Sequence, residues 1–338
     1  MVLYAVEDIE DALAATRAFL WPIDRSRWLR LALVVFFVGG TGANVNTVQF
    51  NMPFDQGTPP GGAPPIQDIG PRIWFLVAAI VAVALLVGLA FLLVGSIMEF
   101  VLVESLRTET VAIRQSWRDR WRQGLRLFGF RVLVGLVVLS LVAGLLALVL
   151  VPVLTGTGGP AGLPAGGASV AALVLVLPVV VLISILAGLV GEFTTVFVVP
   201  IMVLEDCPVL GGWARLWRSI KANPWQYVAY AVVAFVLTLV GGLVVTIAVA
   251  IAAVLLLIPF GILGAIGFVL FTAVPSVGLA VLALVGLASG LSVVVAAAFV
   301  QVPVVTYLRY YALFVLGDVD DELDLVPERR ATVRADEA

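Results

Sequence analysis

Residues 225–258 read WQYVAYAVVAFVLTLVGGLVVTIAVAIAAVLLLI and contain no charged side chain. A membrane-spanning helix needs about 20 consecutive apolar residues, and this stretch is considerably longer. At about 1.5 Å per residue it would form a helix of roughly 51 Å, which exceeds a hydrocarbon core of about 30 Å. We therefore expect a membrane helix that tilts, protrudes, or breaks near Gly241 and Gly242.

The composition of the whole chain points to the same class. Of 338 residues, 62% are hydrophobic and 12% are charged, against about a quarter charged in soluble domains. A soluble enzyme of this length would lack the polar side chains to cover its surface, and disorder, collagen and coiled coil are excluded as well. There is no histidine, and Cys207 is the only cysteine, which excludes an internal disulfide and His/Cys zinc or haem sites. We expect no metal, no cofactor and no enzymatic activity.

Stretches without charge define the spans. Asp, Glu, Lys and Arg are absent from four stretches, namely residues 32–54, 73–98, 132–191 and 222–308. Their lengths accommodate one, one, two and two helices, with a Gly/Pro-rich loop at 155–169 in the third stretch and a break at Pro259–Pro275 in the fourth. The sequence thus predicts an all-α integral membrane bundle of six transmembrane helices, and it leaves open a re-entrant piece at 260–273.

The basic residues indicate the orientation. Arg and Lys precede the first span, lie between spans two and three and between spans four and five, and follow the sixth, whereas Arg72 alone lies on the other side. By the positive-inside rule we predict a multi-pass protein of the cell membrane with both termini cytoplasmic. An alternative interpretation takes Leu29–Ala43 as a signal-peptide core and cleavage site, but the residues before it are partly acidic.

These assignments divide the chain into three parts. The first is an N-terminal amphipathic segment, the second a six-span membrane domain with an external loop, and the third an acidic cytoplasmic tail. They comprise residues 1–27, residues 28–316 with the loop at 49–70, and residues 317–338. The tail contains Asp320–Asp324, which has the aspartate-rich pattern that holds magnesium-diphosphate in isoprenoid enzymes. Because the pattern occurs once and in an acidic tail, we expect a solvated segment here.

Internal similarity indicates a threefold repeat. Phe100–Glu104 resembles Ile201–Glu205, and each is followed by a basic segment containing Trp-Arg and then by a long apolar helix. The span ends at Val198–Ile201 and Gln301–Val304 are also alike, and the N-terminus fits the pattern more loosely. The predicted unit is an interfacial helix followed by two spans.

The two basic segments have the pattern of helices that lie among lipid headgroups. Apolar residues and tryptophans recur at three- and four-residue spacing on one face, and basic residues occupy a neighbouring face. The candidate lipid-headgroup-binding residues are Arg107, Arg114, Arg118, Arg122, Arg215, Arg218 and Lys221. Asp206 is predicted to cap the second helix, with Pro208 in its first turn. Simple anchoring of the topology stays open beside a specific site for anionic lipid.

One segment resembles a known membrane family. Val199–Tyr227, with the residues VPIMVLEDCPVLGGWARLWRSIKANPWQY, resembles the membrane domain attached to glycerophosphodiester phosphodiesterases. Ala14–Val38 is similar to the N-terminal part of uncharacterised integral membrane proteins of halophilic archaea. The resemblance implies a membrane architecture. It transfers no active site, because the catalytic domain of those enzymes is absent.

Few polar residues lie within the predicted spans. Glu192, Arg131 and Gln301 form the candidate intramembrane polar set, and Glu192 is predicted to pair with Arg131. Gly286 and Gly290 are expected to let helices approach closely. We predict a non-enzymatic membrane protein that organises or binds lipid, with anionic lipids as partners and no nucleic acid. One alternative is a transporter or channel along Glu192 and Gln301, and another is a membrane-embedded enzyme that acts on lipid headgroups with arginines and carboxylates alone. A protein partner or a homo-oligomer stays open.

Overall fold

The computed structural model describes residues 4–40, 71–155 and 165–336, and these ranges are helical throughout, with short connections and no strand. The helices are α1 Tyr4–Leu20, α2 Arg25–Gly40, α3 Pro71–Thr108, α4 Ile113–Thr155, α5 Ala165–Phe193, α6 Val199–Glu205, α7 Val209–Ala222, α8 Pro224–Ala273, α9 Pro275–Val319 and α10 Pro327–Asp336. A π-helical turn, Thr194–Val198, joins α5 to α6, and a 3₁₀ turn, Asp321–Leu323, precedes α10. The predicted all-α class is confirmed.

Five of the described helices are long and apolar enough to cross a membrane. They are Arg72–Thr108, Ile113–Leu148, Val176–Glu205, Pro224–Ala273 and Pro275–Val319. The multi-pass membrane class of the prediction therefore holds. The first predicted span corresponds to α2, whose 16 residues make about 24 Å of helix. The predicted external loop at 49–70 lies outside the described residues, which resume at the start of α3.

The two predicted interfacial helices differ in the structure. The 104–124 segment is not a separate helix, because α3 ends at Thr108 and α4 runs from Ile113 through this basic stretch and on to Thr155 without interruption. The connection turns at Glu109, whose φ of 54° is left-handed. By contrast, α7 is a separate helix of 14 residues.

The predicted capping of α7 is also corrected. Asp206 adopts a left-handed φ of 49° at the end of α6, and its carboxylate accepts a hydrogen bond from the Gln123 amide. It therefore ends α6 and does not cap α7. Pro208 stands immediately before the first residue of α7, where its missing N–H costs nothing.

Helices α8 and α9 form one long hairpin. The predicted break at Pro259–Pro275 begins too early, because α8 continues through Pro259 to Ala273 and only Val274 separates it from α9. The hairpin is tightest at Gly278, where an added Cβ would lie 2.0 Å from the backbone nitrogen of Phe271. The close packing expected at Gly286 and Gly290 is not seen against any described residue, because an added Cβ at either would meet nothing within 4 Å there.

Buried side chains concentrate at one end of the bundle, which we call the packed end. There the last turns of α3 and α9 and the π turn meet α1, α6 and α7. The largest fully buried residues include Phe19, Phe100, Phe197, Tyr310 and Tyr311. Beyond the packed end the long helices expose apolar side chains, as lipid-facing helices do. The fold thus consists of the packed end and of long apolar helices that extend from it and suit the hydrocarbon core of a membrane.

The acidic C-terminus folds back onto the packed end, which corrects the expectation of a solvated tail. Leu323, Leu325, Val326 and Val333 are buried. The Arg334 guanidinium on α10 donates a hydrogen bond to the Asp8 carboxyl at 3.1 Å and forms ion pairs with Asp11 of α1 at 2.8 Å and with Asp318 at the end of α9 at 2.5 Å. Burial raises the pKa of Asp8 to about 8, and the neighbouring Asp318 carboxyl adds to the rise.

Carboxylates of the aspartate-rich segment also form hydrogen bonds and ion pairs within the packed end. Asp320 accepts a hydrogen bond from the backbone N–H of Glu322, and Asp324 pairs with Arg330 at 2.5 Å. Glu322 reaches back to Arg215 of α7. These acids therefore tie the C-terminus to the rest of the packed end.

Candidate functional site

A buried carboxylate at the packed end receives two arginines from other helices. Glu99 of α3 is 2% exposed. An Nη2 hydrogen of Arg309 on α9 is donated to its Oε2 at 2.5 Å, and Nη2 of Arg131 on α4 lies 3.4 Å from its Oε1. The side chains of Arg309 and Arg131 are 10% and 16% exposed. Two guanidinium groups thus share one carboxylate, and the three charges sum to +1.

The π turn supplies the remaining acceptors of these arginines. In it the Val199 N–H bonds to the Thr194 carbonyl, five residues back. The next residue, Pro200, has no N–H to offer the Thr195 carbonyl. Nη1 of Arg309 donates to that carbonyl at 2.9 Å, and Nη2 of Arg131 donates to the Thr195 hydroxyl at 2.8 Å. The two arginines therefore donate the hydrogen bonds that the irregular turn does not receive from its own backbone. Such π turns are frequent at functional sites.

Neighbouring side chains fix the turn from its other side. The Trp213 indole on α7 donates to the Thr194 hydroxyl at 3.0 Å. At Gly212, one residue earlier, an added Cβ would lie 2.8 Å from Val198, so α7 approaches the turn closely. The ion pairs and hydrogen bonds of the two arginines thus connect α3, α4, α9 and the π turn. Helix α7 packs against the π turn and holds it in place.

The predicted intramembrane polar residues do not form one site. Arg131 belongs to the buried cluster, but it pairs with Glu99 and not with Glu192, so the predicted Glu192–Arg131 pair is wrong. Glu192 is exposed and lies towards Tyr230 of α8. Gln301 is half-buried against α2, where its Oε1 would be 2.6 Å from a Cβ at Gly39. The geometry therefore adds no support to a transport path along Glu192 and Gln301.

Most of the predicted headgroup-binding residues are available to a ligand. Six of the seven are exposed and form no ion pair with another described residue, namely Arg107, Arg114, Arg118, Arg122, Arg218 and Lys221. Arg215 differs, because Glu205, Asp320 and Glu322 surround its guanidinium. These acids raise the pKa of Arg215 although its desolvation acts in the opposite direction. We therefore withdraw Arg215 from the lipid-contacting set and call the other six the basic band.

Exposed tryptophans accompany the basic band. Trp121 is 48% exposed with the Arg122 guanidinium 6.0 Å from its ring centroid. Trp217 is 53% exposed with the Lys221 ammonium 5.7 Å from its ring centroid. Such amphipathic rings beside cations are typical of the membrane–water interface.

Two apolar grooves open on the sides of the bundle. One, of about 490 Å³, lies between α4 and α5, with Arg131 and Thr194 at its end near the packed end. The other, of about 1040 Å³, lies between α1 and the α8–α9 hairpin. Its lining includes Arg17, Trp21, Gly241 and Tyr307. Neither Glu192 nor Gln301 lines these two grooves.

Comparison with protein families matches residues 3–326 to a family of unknown function, DUF7544. The chain belongs to the DUF7544 family. Comparisons with curated proteins and with solved structures gave no match. The resemblance of Val199–Tyr227 to the membrane domain of glycerophosphodiester phosphodiesterases stays a prediction.

Sequence reasoning missed the centre of the site in this DUF7544 member. Glu99 and Arg309 do not belong to the predicted intramembrane polar set, because each lies just outside a charge-free stretch. A signal was nevertheless present. Glu99, Arg131 and Arg309 are the residues at which the charge-free stretches 73–98, 132–191 and 222–308 meet the packed end. Three helices whose first charges lie at one level can bring those charges together.

Proposed function

We propose that this DUF7544 member is a non-enzymatic protein of the cell membrane that binds anionic lipid headgroups at its packed end. The observation that carries the proposal is the basic band, six exposed cations that form no ion pair with another described residue and lie beside two exposed tryptophans. A basic residue near an anionic membrane surface contributes about 1 kcal/mol. Six such residues would hold several lipid headgroups around α7 and the first turns of α4.

We also propose six spans with both termini cytoplasmic. The contacts of Arg334 with Asp8 and Asp11 join α10 to α1, so the two ends of the chain share one side. A chain whose two ends lie on one side of a membrane must cross it an even number of times, whereas the long helices number five among the described residues. The missing crossing is supplied by α2, which begins beside the end of α3, because Arg30 donates to the Val111 carbonyl at 3.1 Å. The positive-inside rule makes that side cytoplasmic.

Ion pairs at the ends of two spans support the proposed internal repeat, although the arginines of the two pairs do not occupy equivalent positions. Glu104 and Glu205 occupy equivalent positions in the similar segments of the second and third units. Glu104 pairs with Arg120 of α4 at 3.3 Å, and Glu205 pairs with Arg215 of α7 at 3.2 Å. In both units a carboxylate at the end of a span thus holds an arginine of the basic helix that follows.

The test is the lipid selectivity of the purified full-length protein. Native mass spectrometry after exchange into mixed phosphatidylglycerol and phosphatidylcholine would count the retained lipids. We expect a preference for phosphatidylglycerol that falls when Arg114, Arg118, Arg122 and Arg218 are replaced together by Gln, and that weakens with salt. The matched control is Arg72→Gln, which removes the basic residue predicted on the opposite side. Equal retention of phosphatidylglycerol by the fourfold variant and the control would contradict the proposal.

A further inference from the structure

Among the described residues, the buried cluster has two arginines and one carboxylate, so one positive charge has no carboxylate of its own. Glu99 can balance one of its two arginines, and Arg309 makes the shorter contact with it, 2.5 Å against 3.4 Å for Arg131. Arg131 is bound otherwise to the neutral hydroxyls of Thr195 and Ser96, the latter at 3.4 Å. A charge this far removed from water requires a counter-charge. Arg131 is therefore the arginine whose positive charge is incompletely neutralised.

The groove between α4 and α5 begins at this arginine. Arg131 and Thr194 lie at one end, and Val138 and Val142 of α4 line the groove further from the packed end. Its surface is apolar apart from that end, and its volume of about 490 Å³ falls in the range of small-molecule sites. The groove therefore presents one cation at the head of an apolar channel.

Glycines open this channel. Gly135 of α4 and Gly191 of α5 both line it, and an added Cβ at either would meet nothing within 4 Å. The two helices therefore leave space between them where side chains could have closed it. The lining on α4 runs from Phe130 to Val142, about 18 Å along the helix, which is the length scale of an acyl chain.

We propose that the α4–α5 groove binds one anionic lipid molecule, whose charged headgroup meets Arg131 and whose acyl chain lies along the groove. The Arg131 cation complements the negative charge of the headgroup. The apolar walls of the groove separate the acyl chain from the surrounding bilayer. The orientation fits a lipid of the leaflet nearest the packed end, because its headgroup lies at that end and its chain runs away from it. The site is separate from the basic band and does not depend on it.

Glu192 does not provide the missing counter-charge. It follows Gly191 in sequence, but it lies towards Tyr230 of α8, is exposed, and is absent from the groove lining. It forms no ion pair with another described residue. Its neutralisation should therefore leave the bound lipid unchanged, which makes Glu192→Gln a control.

A groove-filling substitution tests the acyl-chain part of the proposal. Gly135→Leu places a side chain in the channel, whereas Gly144→Leu places one in equally open space on α4 outside the groove lining. We expect native mass spectrometry of the full-length protein, equilibrated with phosphatidylglycerol, to show one tightly retained lipid in Gly144→Leu. Gly135→Leu should weaken its retention about tenfold, as expected for the lost contact of about two methylene groups. Equal retention by the two variants would overturn the proposal.

A charge substitution tests the headgroup part. Arg131→Gln should remove the preference of the tightly retained lipid for phosphatidylglycerol over phosphatidylcholine, while Glu192→Gln keeps it. Inorganic phosphate should not displace this lipid, because phosphate lacks the chain; displacement would overturn the acyl-chain contact. The fourfold variant of the basic band should lose its loosely held lipids and keep the one in the groove. Loss of the tightly held lipid in that variant, with none lost in Gly135→Leu, would assign all binding to the band.

Discussion

Replacing Glu99 by glutamine would remove the carboxylate that Arg131 and Arg309 share, and neither arginine contacts another carboxylate within residues 4–40, 71–155 and 165–336. The substitution keeps the size of the side chain and leaves two guanidinium groups facing each other at positions that are 16% and 10% exposed. Removing one partner of a buried pair costs about 3–5 kcal/mol, against about 0–1 kcal/mol for an exposed pair. Thr195 continues to accept hydrogen bonds from both arginines, so we expect the lower end of the buried range, about 3 kcal/mol.

The assay is equilibrium unfolding of the full-length protein in micelles with a rising fraction of dodecyl sulfate, followed by tryptophan fluorescence. Glu192→Gln is the matched control, because it removes an exposed carboxylate near the same level of the bundle and should change the free energy of unfolding by less than about 0.5 kcal/mol. Adding Arg309→Gln to Glu99→Gln should restore part of the loss, with a coupling of about 1–3 kcal/mol.

Two results would refute this reasoning. The first is a cost of Glu99→Gln no larger than that of Glu192→Gln, which would mean that the cluster is hydrated and not buried. The second is strict additivity of Glu99→Gln and Arg309→Gln, which would mean that the short contact between them contributes no energy.

Three further predictions concern the periphery of the fold. Because burial raises the pKa of Asp8 to about 8 from 3.8, its contribution is fully present below pH 3.8 and is lost as the pH rises through about 8. Hydrogen exchange of α10, corrected for its intrinsic pH dependence, should therefore be faster at pH 9 than at pH 6, and Asp8→Asn should abolish the difference. Gly278→Ala should destabilise by about 1–3 kcal/mol, because its methyl group would overlap the α8 backbone, whereas Gly286→Ala should be neutral or stabilising by thermal unfolding. In a variant without Cys207, a membrane-impermeant thiol reagent should label Gln56→Cys only from outside; labelling only from inside would invert the proposed topology.

The membrane architecture was predictable because the bilayer imposes a simple rule on sequence. A charged residue within a span is costly, so long stretches such as 222–308 identify helices without any knowledge of their contacts. The end of α8 was less predictable. Pro259 suggested a break, but a proline inside a membrane helix is tolerated where neighbouring groups satisfy the backbone.

The site was less predictable than the spans, because contacts between helices leave no periodic trace. Glu99 and Arg309 are 210 residues apart and carry no local pattern that relates them. The folded C-terminus was missed for another reason, namely that its many charges resemble those of a solvated tail. A signal was present in the apolar Leu325, Val326 and Val333, which lie within this charged segment and are buried in the structure.

The packing of α1 has a consequence for biosynthesis. Its backbone accepts hydrogen bonds from Tyr307 and Tyr311 of α9, and its acids bind Arg334, so α1 depends on residues that are synthesised much later than α1 itself. The sequence separation of Tyr311 from its partner Ala5 is 306 residues. At about 5–20 residues per second, ribosomes need roughly 15–60 s to make the chain between them. During that interval the newborn α1 has none of these native partners, and its apolar face is available to a chaperone or to the membrane surface. The packed end therefore closes only after α9 and α10 have been synthesised.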